Sequence, residues 1–418
     1  MKKFLKALGL LMVLVFLFGV GYYFLNNEKL PKGNKGKEAD ALAIKMFNAL
    51  NHEAFENTEV IEWDFRGTNH YKWYKQQNKV EVVLGEEKII LNLKNTSKSK
   101  ASSPKLIQKA IDNFNNDSFW LVAPYKIFDT GTERAIVKYE GKDALLVTYT
   151  SGGSTPGDSY LWILNDKFFP VAYKMWTSII PIGGVSATWS DWKTTEAGIK
   201  LPTKHKLSLF GLELDMGDVK AYNKEANKLA DKILAAIKHE AYQKTKFIEW
   251  SFGGRRSFKW NKKENIVDVS WEDFRVNLYP QEIDKSTVYF EGEKQEDTDE
   301  KIVKRAWDIF NNDSFWLVAP HKLYDKGVIR NIVDVEGKDA LKVTYTSGGT
   351  TPGDAYVWIL DSTYIPKSYK MYLKNGRMNG TPATWEGWIT TESGTLLPTN
   401  HSFSNGGQLS MGEVKAYN

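Results

Sequence analysis

The stretch Asn115-Asn116-Asp117-Ser118-Phe119-Trp120-Leu121-Val122-Ala123-Pro124 returns without change as Asn311 to Pro320. Strings on either side return with it. Thr148 to Gly153 recurs as Thr344 to Gly349, and Thr155-Pro156-Gly157-Asp158 as Thr351 to Asp354. Met216 to Asn223 becomes Met411 to Asn418, with only Asp218 changed, to Glu413. Upstream, Ile61-Glu62-Trp63-Asp64-Phe65 aligns with Ile248 to Phe252 at a shorter offset, which places an insertion in the second copy around Tyr279–Glu300. A period of roughly 190 residues is far longer than a solenoid repeat, so a whole domain is expected twice. The expected organisation is an N-terminal segment over 1–38, copy one over 39–223 and copy two over 224–418.

Each copy opens on helical spacing: Leu42, Met46, Phe47 and Leu50 in the first, Leu229, Ile233, Leu234 and Ile237 in the second. Strand-like alternation follows, with Ile61, Trp63 and Phe65 on one face. A second helix is expected from Pro104, capped by Ser103. It is expected to end before a turn at Phe119-Trp120, with Asp117 and Asp313 capping that turn. Six more strands are read over 134–139, 144–150, 159–164, 171–177, 185–193 and 204–214. The fold class is therefore α+β, each copy one large antiparallel sheet covered by two helices.

Composition narrows the function. The 418 residues are 42% hydrophobic and 26% charged, enough to bury real cores. There is no cysteine, which removes disulfides, thiolate metal sites and cysteine nucleophiles. The net charge of +5 sits almost wholly in residues 1–37, which carry seven lysines and one glutamate. The remainder is close to neutral, which argues against nucleic acid as a partner.

Lys2, Lys3 and Lys6 precede the uncharged run Ala7–Leu25. As a helix that run would cover roughly 28 Å, near the thickness of a bilayer core. A membrane anchor is expected, with a cleaved signal peptide ending at Gly19-Val20-Gly21 as the alternative. Asn26–Lys37 reads as a flexible tether, and the folded part is expected on the extracytoplasmic side.

The order of a leading helix, a strand meander, an inserted helix and more strands resembles the LolA-like superfamily of lipoprotein carriers and receptors. That resemblance implies an incomplete antiparallel barrel wrapping helices, with an apolar cavity for acyl chains, in the bacterial cell envelope. The NNDSFWLVAP and TYTSGG-x-TPGD strings are similar to a family of Bacteroidetes envelope proteins, from which no activity carries over.

Histidine chemistry finds little purchase. His52 with His239 and His205 with His401 are matched pairs, yet none has a second ligand at metal spacing. His70 and His321 have no counterpart in the other copy. The loop Ser151 to Asp158 is glycine-rich but lacks the lysine and following helix of a phosphate cradle, so it reads as a hairpin loop. The acidic stretch Glu291–Glu300 reads as a solvated loop. Neither a metal nor a cofactor is expected.

Aromatics are the main signal, at 13% of the chain with fifteen tryptophans. They serve either as core or as the wall of a ligand cavity. Candidate ligand-binding residues in copy one are Trp63, Trp73, Phe119, Trp120, Trp162 and Trp176, with Ile179, Ile180 and Ile182 from an apolar loop. In copy two they are Trp250, Trp260, Phe315, Trp316 and Trp358. The expected function is non-enzymatic binding of a lipid or lipoprotein acyl chain by a membrane-tethered envelope protein. An envelope protein-interaction or sensor module is the alternative, and a hydrolase the third.

Overall fold

The computed structural model describes residues 12, 17, 21–152, 155–296 and 299–418. The expected anchor over Ala7–Leu25 falls largely outside the described residues. Among those described, no helix is long and apolar enough to cross a membrane. Contacts divide the chain into unit one, ending at Tyr222, and unit two, Asn223–Asn418.

Unit one begins with β1 (Asn34–Lys35), α1 (Lys37–Leu50) and α2 (His52–Asn57). Ala39, Leu42, Ala43, Met46 and Leu50 repeat at three and four residues, so α1 buries one continuous stripe. Asn51, left-handed at φ 61°, ends α1 and starts α2. A meander follows: β2 (Val60–Phe65), β3 (Asn69–Tyr74), β4 (Lys79–Leu84) and β5 (Glu87–Asn92). Next comes α3 (Pro104–Val122), whose first turn is capped by Ser103 Oγ, which accepts from the Leu106 amide at 3.4 Å. Strands β6 (Thr132–Tyr139), β7 (Lys142–Tyr149), β8 (Ser159–Leu164), β9 (Pro170–Trp176) and β10 (Val185–Thr188) form a second meander. Short ribbons β11 (Lys193–Thr194) with β12 (Lys200–Leu201), and β13 (Lys204–Lys206) with β14 (Glu213–Asp215), precede β15 (Lys220–Tyr222).

The strands form two main sheets rather than the single sheet expected. One has the order β15-β2-β3-β4-β5 and the other β1-β6-β7-β8-β9-β10. The β13–β14 ribbon joins them. Ala187 bridges Leu207 on one side, and on the other the Asp64 and Arg66 amides donate to Met216 and Asp215. The edges at β5 and β1 do not meet, so these curved antiparallel sheets form no closed barrel among the described residues. The same ribbon corrects the expected strand over 204–214. Phe210 and Gly211, both at positive φ, turn the chain into a hairpin.

Asn115–Pro124 is not a turn either. Helix α3 runs through Phe119-Trp120 to Val122, so Asp117 caps nothing. Local propensity favours a turn at an Asn-Asn-Asp-Ser cluster, but tertiary bonds satisfy the carboxylate inside the helix. Tyr71 Oη donates to Asp117 Oδ2 at 2.5 Å and Asn69 Nδ2 at 2.9 Å.

The segment expected as a flexible tether is instead held at Glu28, Gly33 and Asn34–Lys35. Glu28 takes Lys174 Nζ at 2.6 Å, and its carbonyl accepts from Trp176 Nε1 at 2.8 Å. β1 pairs with β6. A Cβ on Gly33 would lie 2.8 Å from Ala135 Cβ and Ile136 O, so only glycine lets the segment lie this close to β6. Here it runs beside a small apolar cluster of Ala135, Val137, Ala144, Leu146 and Leu161, packed with Tyr139 and Trp176. These point away from the helices by the two-residue alternation of the strands.

Unit two repeats the element order from Lys224–Ala236 and His239–Lys244 onward, with its long helix at Glu300–Val318. Its first sheet has seven strands, because the insertion supplies Thr287–Phe290 and Glu293–Lys294 as an added hairpin. The acidic stretch is thus partly strand, although Glu291, Glu293, Glu296, Asp299 and Glu300 remain exposed.

Candidate ligand cavity

In unit one the inner face of β7–β9 and the last turns of α3 leave a cavity of about 540 Å³. Its apolar wall comes from Trp73, Leu93, Ile111, Phe114, Phe119, Trp120, Met175, Ile179 and Ile180. Tyr149, Tyr160 and Tyr173 line it as well. They stand edge to face, Tyr149 and Tyr160 at 5.8 Å and Tyr160 and Tyr173 at 5.3 Å between ring centroids. Phe119 leans on Tyr160 at 4.5 Å. The helical conformation of Ser118-Phe119-Trp120 is what presents Ser118, Phe119 and Trp120 to one space.

A polar rim surrounds this wall. Asn115, Asn116, Lys126, Asp129, Ser151, Thr155 and Asp158 all reach it. Asp158 is buried and holds two loops together. Its Oδ2 accepts from Thr155 Oγ1 at 2.6 Å and its Oδ1 from the Ser178 amide at 2.9 Å. The second bond fixes the start of the isoleucine loop. Asp354 makes the matching bond to the Lys374 amide, at 2.9 Å. Gly131 belongs to the same rim region. At φ 84°, a Cβ there would lie 1.9 Å from Ser151 Oγ, so no side chain fits. Burial pushes the Tyr160 phenol well above its ordinary value, with Asp158 as the second cause.

Of the candidates read from sequence, the cavity brings together Trp73, Phe119, Trp120, Ile179 and Ile180. Trp63 and Trp162 are instead core residues, 1% and 0% exposed. Trp162 packs on Tyr173 at 5.1 Å and on Trp189 at 5.0 Å, beneath the wall. Trp176 faces the opposite side of the sheet, toward Glu28. Ile182 is half-buried against the core. In unit two, Trp250 stacks on Phe258 at 4.5 Å, and Trp260 meets Phe310 edge-on at 5.3 Å. Phe315 leans on Tyr356 at 4.6 Å, Trp316 on His401 at 5.3 Å, and Trp358 stacks on Trp385 at 5.3 Å. All five pack within the cores of that unit. The three tyrosines of unit one were missed by sequence reading, although Tyr160 shares a strand face with Trp162, and Tyr173 with Met175.

The histidines occupy packed positions. His205 Nδ1 lies 2.9 Å from Thr188 O and His401 Nδ1 2.8 Å from Thr384 O, both buried. Burial lowers the His205 pKa to about 4. His321, with no histidine at its place in unit one, lies 3.3 Å from His239. Burial is the main cause that lowers His321 to about 3. Among the described residues no group of three His, Asp or Glu side chains could hold a metal ion. A more open groove of about 670 Å³ lies beside α1 and the β6–β7 turn. Of its three lysines, Lys138 pairs with Asp143 and Lys142 with Asp166, each at 2.7 Å, and Lys45 lies over the Phe168 ring at 4.7 Å.

No protein-family model matches the chain, and no curated protein matches it. Among solved structures it is similar to a DUF1329 family protein from Desulfovibrio piger. The identity is 9% over 92% of each chain, with a TM-score of 0.19. It is also similar to a structure described as an outer membrane lipoprotein-sorting protein domain from Vibrio parahaemolyticus. There the identity is 9%, over 90% of this chain and 93% of that one, with a TM-score of 0.18.

Proposed function

We propose that unit one binds an apolar ligand, a lipid or the acyl chain of a lipoprotein, without covalent chemistry. The observation that carries this reading is the cavity itself. About 540 Å³ lies in the range of small-molecule sites, and its wall is mostly aromatic and aliphatic behind a polar rim. Each methylene taken from water contributes ~0.8 kcal/mol, so ten would contribute on the order of 8 kcal/mol before ordering costs. The proposed setting is the extracytoplasmic side of a bacterial envelope. There the run Ala7–Leu25 would tether two tandem copies of one incomplete-barrel domain.

Ser118 lies on the cavity side of α3 and has room before it. Ser118→Phe is expected to fill that room and weaken binding of a fluorescent fatty acid at least tenfold. The melting temperature should stay within several degrees, since the ring enters open space rather than packed core. Unchanged binding would remove the cavity from the function.

A further inference from the structure

Two surface tips of unit one are apolar where unit two is polar. After β9 the chain reads Ser178-Ile179-Ile180-Pro181-Ile182, against Lys374-Asn375-Gly376-Arg377-Met378 at the same place in unit two. Between β13 and β14 it reads Leu207-Ser208-Leu209-Phe210-Gly211-Leu212, against Phe403-Ser404-Asn405-Gly406-Gly407. Unit two shows that both connections close with asparagine, glycine and charged residues, so hairpin geometry does not require the apolar tips. Leu207, Leu209, Ile180 and Ile182 pack on the core, but packing does not require the outermost side chains. Ile179 is 68% exposed, Phe210 80% and Leu212 45%.

One tip lies against the end of the N-terminal apolar run and the other against the residues that follow it. Tyr22 stacks on Phe210 with ring centroids 5.7 Å apart. A few residues on, the Glu28 amide donates to Gly183 O at 2.9 Å and Asn27 Oδ1 accepts from the Gly183 amide at 2.8 Å. Phe24 and Leu25, between these attachments, are 77% and 86% exposed. Exposed apolar groups gathered at one edge mark an interaction surface.

We propose that this edge of unit one is a docking face for a lipid bilayer, entered by Ile179, Phe210 and Leu212. Two observations commit it to lipid rather than to another protein. The uncharged run Ala7–Leu25, long enough to reach through a bilayer core, leads directly into the tip through Tyr22. Residues 26–37, which follow that run, carry four lysines against Glu28, a formal charge of +3 that suits an anionic membrane surface. Ile179 and Ile180 also line the cavity, so its mouth would face the bilayer, but the docking face does not depend on what the cavity holds.

The absence of cysteine makes a direct test simple. Ile179→Cys, Phe210→Cys, Asn375→Cys and Asn405→Cys are each made in the full chain and labelled with an environment-sensitive nitrobenzoxadiazole dye. The proteins are then reconstituted into vesicles of phosphatidylcholine and phosphatidylglycerol, with and without doxyl-labelled lipid. The docking face predicts a blue shift and at least twofold quenching by doxyl lipid at positions 179 and 210, and neither at 375 and 405. A blue shift without lipid quenching would mean that the chain's own N-terminal segment covers the tips, and would overturn the proposal. Water-like emission at 179 and 210, or equal quenching at all four positions, would overturn it as well.

Discussion

Trp162→Ala is expected to cost unit one about 3–5 kcal/mol, the usual range for removing a fully buried aromatic side chain. Trp162 is 0% exposed and touches Tyr173 and Trp189, and Trp189 in turn meets His205 edge-on at 4.6 Å. Deleting the indole leaves a void in the middle of this stack, and the surrounding sheet is too constrained to close on it. Trp162→Phe is expected to cost far less. Its ring restores most of the contacts, and the indole N–H it removes has no hydrogen-bond partner to lose. Denaturant unfolding of the full chain, followed through unit-one probes, measures both. A loss below ~1 kcal/mol for the alanine variant would place Trp162 outside the core.

Unit two is expected to respond to pH through Asp313. Its counterpart, Asp117, is held by a tyrosine and an asparagine, but in unit two those positions are Phe258 and Arg256. Asp313 is fully buried, with Asn312 Nδ2 at 2.8 Å from Oδ1 and Arg256 Nε at 3.1 Å from Oδ2. Burial raises its pKa to about 6 against Asn312 and Arg256, which both lower it. A carboxyl with a folded pKa above its unfolded value of 3.8 binds its proton first in the folded state. Its contribution to stability therefore rises as pH falls from about 6 toward 4, and is lost as pH rises through 6. His321, His239 and His401 are lowered by burial and act in the opposite direction over part of that window. The effect must therefore be read as a difference from Asp313→Asn. Wild type should lose on the order of 2 kcal/mol relative to that variant between pH 4.5 and pH 7.5. Arg256→Met should cost roughly 3 kcal/mol at pH 7.5 by leaving the carboxylate buried without its cation. Adding Asp313→Asn should recover most of that loss. A flat difference across pH would mean that Asp313 keeps an ordinary pKa.

The sequence made the repeat and its helix starts legible, because identity over ten residues and the pair Ser103-Pro104 need no tertiary information. The end of α3 was not legible. Asn115-Asn116-Asp117-Ser118 has poor helix propensity, and the bonds that hold Asp117 come from β3, some 45 residues away in sequence. The division into two sheets was hidden for a similar reason, since alternation marks strands without naming their partners. The β13–β14 hairpin could have been found from Gly211. In the cavity, Trp73, Phe119, Trp120, Ile179 and Ile180 were singled out as large apolar residues, whereas Ile111 and Phe114 of α3 were read only as part of a helical stripe. Strand periodicity of two would have added Tyr160 and Tyr173, and would have set Trp176 on the outer face. Whether a tryptophan lines a void or fills one depends on packing depth, so Trp63 and Trp162 could not be told from Trp73 and Trp120.

The central claim is that the cavity beneath Phe119 and Trp120 holds an apolar chain. Native mass spectrometry of the full-length protein after gentle extraction from its own membranes tests this most directly, with Ser118→Phe measured in parallel. The account predicts a lipid or fatty-acyl adduct on the wild-type chain that survives removal of detergent and is lost or strongly reduced in Ser118→Phe. A wild-type mass equal to the bare polypeptide, or an adduct retained equally by the variant, would contradict it.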